Sequence, residues 1–178
     1  MDGESCIKKA YEFIFNSDFE QAIYWFEQAI AAEPENASFY HKCAVSCARS
    51  GKWTKAKQYA ESAVSLEPEY PEYVYHLQTV EANLLLAEAD LLLAEESPEL
   101  IKAVDLLKQA AVLDPLCFEA YYRIGVVYAA LDQLDEAVIH AKEAVRLNPT
   151  HSAARRLFSE VNRKLRLRTY ARKRKRNR

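Results

Sequence analysis

Glycine is almost missing from this chain: three residues in 178. Phosphate-cradling loops are built from glycine, and neither a P-loop nor a GxGxxG run occurs. HExxH and GxSxG are absent as well. No stretch approaches the roughly 18 uninterrupted apolar residues that a membrane-spanning helix needs. The most leucine-rich segment, LLLAEADLLLAEE at 84–96, is cut by Glu88, Asp90, Glu95 and Glu96. The opening MDGESCIKKA carries acids and no apolar run, so no signal peptide is expected. The four cysteines (Cys6, Cys43, Cys47, Cys117) form no CxxC pair. Cys43 and Cys47 would share a helical face, but no second ligand pair accompanies them. All four are expected to be small buried hydrophobes in a reducing setting, with no metal and no cofactor. His41, His76, His140 and His151 are scattered. The carboxylates fall at solvent-type helical positions, so the chain is expected not to be an enzyme.

What is abundant points one way. Half the residues are hydrophobic, and Ala, Leu, Glu and Lys dominate while proline is held to six. Such a composition favours helices. The net charge of −2 hides an asymmetry. Residues 151–178 hold twelve Lys and Arg against Glu160 alone, which makes them +11 and leaves residues 1–150 at −13.

Four short segments look alike: AAEPEN, SLEPEY, VLDPLC and RLNPTH. Their prolines are Pro34, Pro68, Pro115 and Pro149, spaced by 34, 47 and 34 residues. Small or apolar residues precede each proline at helical spacing: Ala22, Phe26, Ala29; Ala56, Ala60, Ala63; Ala103, Leu107, Ala110; Ala137, Ala141, Ala144. Small residues on one face let a neighbouring helix come close, and the proline ends the helix. An earlier helix in each unit carries matching residues. Tyr121, Ile124, Gly125 and Tyr128 in the last unit answer to Tyr40, Cys43, Ala44 and Cys47 in the second. Gly51 suits a left-handed turn position. Ser17 with Glu20 reads as a capping box opening the second helix of the first unit.

Over about residues 4–150 this pattern resembles the tetratricopeptide repeat family, two antiparallel helices per 34 residues closed by a proline. The resemblance implies an all-α fold, a right-handed α-solenoid of antiparallel helix pairs. It would hold about four units, at 3–36, 37–70, 71–117 and 118–150. Residues 151–170 then form a basic capping helix, with Ala154, Leu157, Phe158, Val161 and Leu165 at three-four spacing, and 171–178 a disordered basic tail. It further implies a protein-interaction adaptor or scaffold that holds a peptide or protein segment in a concave groove. Carried onto this sequence, the groove positions are Ile7, Tyr11, His41, Val45, Tyr75, Thr79, Tyr122 and Val126. One subclass of the family grips a C-terminal carboxylate with Lys, Asn and Arg. The matching positions here hold Ile7, Tyr11, Lys42, Glu72 and His76, of which only Lys42 is cationic, so chaperone-tail binding is not expected. Arg123 stands at an equivalent place one repeat later, accompanied by Glu119.

The gap of 47 between Pro68 and Pro115 exceeds the usual 34 by thirteen residues, and the leucine-rich segment lies inside it. No glycine or proline intervenes between Pro71 and Ser97. Residues 71–96 therefore read as one helix of about 39 Å, followed by Ser97 as N-cap and Pro98 as the first residue of the next helix. One stripe of the long helix is Tyr73, Leu77, Val80, Leu84 and Leu91; a second, roughly opposite, is Tyr75, Ala82, Leu86 and Leu93. The second stripe needs a cover. Two are open: the following helix, lengthened to match, or another chain at an interface through Leu86 and Leu93, for instance in a homodimer. The basic run Arg172, Lys173, Arg174, Lys175 and Arg176 leaves four readings open: phosphate contacts with nucleic acid, a nuclear-import signal, docking on an acidic body, or a solvated linker toward a further domain. A cytoplasmic location is expected, or a nuclear one through that run.

Overall fold

The computed structural model describes residues 2–176, with side chains through Lys173. Every element among them is a helix: α1 (Gly3–Phe15), α2 (Phe19–Ala32), α3 (Ala37–Arg49), α4 (Trp53–Leu66), α5 (Pro71–Ala94), α6 (Leu100–Leu113), α7 (Phe118–Ala130), α8 (Leu134–Leu147) and α9 (Ser152–Arg176). The chain forms two compact units whose boundary falls inside α5, between Leu84 and Leu85.

The repeat is visible in how helices stop. Glu33, Glu67, Asp114 and Asn148 each precede a proline and each has left the helix, with ψ of 77°, 76°, 92° and 85°. A following proline clashes with helical backbone, so the residue before it is pushed extended. The hairpin turns obey a second rule. Ser17, Gly51 and Asp132 all have φ near +60° to +70°, and they occupy the same place in three hairpins. The matching residue of the remaining hairpin is Pro98, whose ring holds φ negative. That turn is rebuilt as the loop 95–99 between α5 and α6.

In the first unit α1 pairs with α2, α3 with α4, and α2 packs on α3. Its core holds Phe26, Phe39, Cys43, Cys47 and Val80, with Leu84 packed against it. In the second unit α7 pairs with α8, α6 packs on α7, and α9 lies along α8. Leu107, Ile124 and Val161 are fully buried there. The four cysteines are free and buried, as small hydrophobes are. The alanines before the prolines (Ala22, Ala29, Ala56, Ala63, Ala103, Ala110, Ala137, Ala144) have no exposed surface at all. A Cβ added to Gly125 would stand 3.2 Å from the Ala141 backbone nitrogen, so α7 and α8 touch nearly main chain to main chain.

Three local expectations are corrected. Asp18 caps α2, its Oδ1 accepting from the Gln21 N–H at 3.1 Å, while Ser17 takes the left-handed turn position. Glu99, not Ser97, stands at the N-cap of α6, and Pro98 lies in the preceding loop. The helix after that loop is not lengthened: α6 has 14 residues, as α2, α4 and α8 do. The second stripe of α5 is nonetheless largely covered beyond Tyr75, which is exposed. Ala82, Leu86 and Ala89 are buried and Leu93 is half-buried, whereas Leu91 is 72% exposed. Leu86 is therefore buried within the chain rather than a free interface. Both faces are thus buried around Val80 and Ala82, and only the second stays buried at Leu86 and beyond. At the far end, α9 continues to Arg176, past the residue 170 where the cap was expected to end. Arg, Lys and Ala are strong helix formers, and no proline or glycine interrupts them. Arg172 and Lys173 are exposed on this extension; the side chains of Arg174, Lys175 and Arg176 lie outside the described residues, as do residues 177 and 178.

Leu86→Ala is expected to cost about 2–5 kcal/mol and Leu91→Ala under about 0.5 kcal/mol, read from urea denaturation. Equal costs would contradict the assignment of faces. Ser17→Gly relieves a left-handed residue and should stabilise by up to about 1 kcal/mol. Asp132→Gly should give no such gain, because the Asp132 carboxylate also accepts from Arg168 of α9 at 2.7 Å.

Candidate functional site: a tyrosine-lined cleft in the first unit

The face of α3 opposite its core contacts carries Ser38, His41, Lys42, Val45 and Arg49, spaced three and four apart so that they form one row. Tyr11 and Ile14 of α1 stand on one side of this row, with Phe26 of α2 at the bottom. Tyr70, Glu72 and Tyr73, from the α4–α5 turn and the start of α5, stand on the other. Together they enclose a cleft of about 430 Å³. Tyr11 is half exposed and meets the buried Phe26 ring edge-on, with centroids 6.0 Å apart. Tyr70 and Tyr73 lie 4.4 Å apart, and Tyr73 continues to the His41 ring at 4.8 Å. The aromatic wall is thus held by packing, which fixes its shape before anything binds.

The charges are unevenly matched. Glu72 approaches His41 Nε2 at 3.4 Å. Lys42 donates to the Ser38 hydroxyl, and Ser46 donates to the Lys42 carbonyl at 3.1 Å. Neither Lys42 nor Arg49 has a carboxylate partner among the described residues. Behind His41 lies His76, ring centroids 5.0 Å apart and nearly perpendicular. The Nδ1 atoms of both rings and the Thr79 hydroxyl are buried without a hydrogen-bond partner in the protein. Burial, with His41 close by, pushes the His76 imidazole down to about 4. Burial lowers His41 too, against the pull of Glu72. Both rings are therefore neutral at pH 7.

Of the groove positions expected from the sequence, Tyr11, His41 and Val45 meet in this cleft. Ile7 is buried in the core beside it and is not available to a ligand. Tyr75 is exposed and Thr79 half-buried on α5, away from the cleft lining. Tyr122 and Val126 belong to the second unit, where Tyr122 stacks on Phe118 at 5.9 Å and meets His151 at 5.3 Å. Arg123 is engaged by Asp90 at 3.1 Å. Ser38, Arg49, Tyr70 and Tyr73 are additions the sequence reading missed. Ser38 and Arg49 extend the spacing of His41 and Val45 by one turn each way, a signal that was available. Tyr70 and Tyr73 come from a turn, where helical spacing gives no guide.

Two family models describing the tetratricopeptide repeat match this chain, one at residues 7–74 and one at 118–151. Together they cover more than half of it, and the first includes every residue that lines the cleft. No curated protein matches significantly. Several solved structures share the fold. A crystal structure of MamA protein is 20% identical, covering 96% of this chain and 86% of that one with a TM-score of 0.54. MamA 41-end from Desulfovibrio magneticus RS-1 is 18% identical over 96% and 89%, with a TM-score of 0.56. A further MamA crystal structure is 22% identical over 92% and 88%, with a TM-score of 0.52. At these identities the likeness is one of fold, an all-helical repeat of the solenoid class. With the proline-closed hairpins and alanine-lined helix contacts described above, the chain belongs to the tetratricopeptide repeat family.

Proposed function

We propose that this protein is a non-enzymatic adaptor that captures an extended protein segment in the cleft of its first unit. The observation that carries this reading is the combination of a preformed aromatic wall with two cations that no carboxylate answers. Tyrosine offers a large apolar face and a polar tip at low entropic cost, which suits contact with a peptide. Lys42 and Arg49 add two positive charges against Glu72. With both imidazoles neutral the cleft is net positive, so an acidic side chain next to an apolar one is the favoured partner chemistry. Tyr122 and Val126 offer a separate, smaller contact surface on the second unit. No helix among the described residues is long and apolar enough to cross a membrane.

Selection of displayed random peptides against the full chain tests the reading. Enriched peptides are expected to pair an aromatic or branched residue with Asp or Glu. Tyr11→Ala should weaken the best of them about 30-fold, the scale of an interface hot spot. Arg49→Glu should weaken acidic peptides and leave neutral ones nearly unchanged. Peptides that bind both variants as they bind the parent would overturn the proposal.

The buried imidazoles give the cleft a pH signature. The unfolded chain takes up a proton at His76 near pH 6.5, whereas the folded chain does so only near 4. Stability is therefore present above 6.5 and is lost as pH falls toward 4. The parent should lose more stability across that window than His76→Leu, measured by urea midpoints at each pH. Parallel curves would show that His76 is not held neutral by the fold.

A further inference from the structure

The last helix does more than cover the second unit. Its first half is anchored: Ala154 and Val161 are buried against α8. Arg168 then fastens it to the α7–α8 turn, donating to the Asp132 carboxylate at 2.7 Å and to its carbonyl at 3.2 Å. From Thr169 to Lys173 every residue is exposed, including Tyr170 at 72%. The helix thus projects past its last anchor with its backbone intact.

Its charge is distributed in an unusual way. Arg163, Lys164, Arg166, Arg168, Arg172 and Lys173 are half or fully exposed, and only Arg168 has an acidic partner among the described residues. At 100° per residue these six leave no arc wider than about 100° without a cation. Leu167 and Tyr170 lie about 60° apart around the helix, but Arg163 falls between them and Leu165 lies on the opposite side, so they form no uninterrupted apolar stripe. A helix lying on a lipid surface needs one apolar face and one charged face, which this segment lacks. A flat acidic protein surface would meet only one side of it. A partner that puts negative charge on several sides at once uses all of it.

We propose that the C-terminal half of α9, from Arg163 onward, lays the side it turns away from α8 into the major groove of double-stranded DNA and binds the phosphates on both walls. A helix with its side chains measures about 10–12 Å across, and the groove is about 12 Å wide. The stretch from Arg163 to Lys173 spans about 16 Å of helix axis, long enough to reach several phosphates of each strand. The contacts are to the backbone, so binding is blind to sequence. The major groove of an A-form RNA duplex is deep and narrow and excludes the helix.

The test uses the full chain and a labelled two-turn DNA duplex, followed by fluorescence anisotropy between about 50 and 200 mM salt. Binding should weaken steeply with salt. The triple variant Arg166→Ala, Arg172→Ala, Lys173→Ala should lose more than tenfold in affinity. Its plot of log affinity against log salt should be shallower by about 2.7, or 0.9 per lost phosphate contact. Alanine keeps the helix, and these side chains make no core contact, so an unchanged circular dichroism spectrum is expected. No binding at the lowest salt, or an unaltered slope in the variant, would overturn the proposal. So would equal or tighter binding to the matching RNA duplex or to anionic vesicles. A salt-sensitive dimer that the triple variant abolishes would assign the helix to a second copy of this chain and overturn it as well.

Discussion

Two helices can lie with their backbones almost touching only where the residue between them is a methyl group or less. In this protein that condition recurs at fixed intervals, at Ala22, Ala56, Ala103 and Ala137 and again two turns later in the same helices, at Ala29, Ala63, Ala110 and Ala144. All of these have zero exposure. A larger side chain at any of them would overpack a contact with no room to give. Gly125 against the Ala141 backbone is the tightest instance. This spacing rule sets the distance between paired helices. The prolines set where each helix stops. The face that α3 presents beside α1, and hence the cleft, follows from these two constraints together.

Electrostatics adds a second layer on that scaffold. Many ion pairs are local ties between hairpins. Lys55 with Glu27 at 2.6 Å and Lys57 with Glu81 at 2.9 Å sit on the first unit, and Tyr59 donates to the same Glu27 at 2.7 Å. These half-exposed pairs each add little to stability, but they fix which edges line up. Among the cations without an ion pair in the described residues, two groups stand out: Lys42 and Arg49 in the cleft, and those of the helix that follows Glu160. An acidic body with two basic features offers two separate points of attraction to negatively charged partners.

Much of the architecture was legible because it is written in residues whose physics is local. Proline forces its predecessor out of the helix wherever it stands, so the four closing prolines marked four helix ends. Alanine at three-four spacing marks a close contact whatever the partner is. The faces of α5 were not legible in the same way. Leu91 and Leu84 lie on one stripe, yet Leu84 packs in the first unit and Leu91 faces solvent. Which stripe is buried beyond Leu84 depends on neighbours far along the chain, and helical spacing says nothing of them. The cleft was half legible for a related reason. Positions on α1 and α3 repeat every 34 residues and transfer well, while Tyr70 and Tyr73 enter from a turn. The nearness of His41 and His76 was readable in principle, since residues about one repeat apart on equivalent helices are neighbours.

The place where the two units meet in sequence has a consequence for taking the protein apart. Most two-unit chains offer a linker that can be cut without touching either core. Here the boundary lies mid-helix, between Leu84 and Leu85. A fragment ending at Leu84 would put Val80 and Leu84, both packed in the first unit's core, on a frayed last turn. A fragment starting at Leu85 would open on unpaired helix N–H groups with Leu86 only two residues in. Neither piece is a natural domain. Keeping Val80 and Leu84 inside formed helix takes about one more turn after Leu84, and keeping Leu86 there takes about one before Leu85, so fragments that preserve both cores overlap.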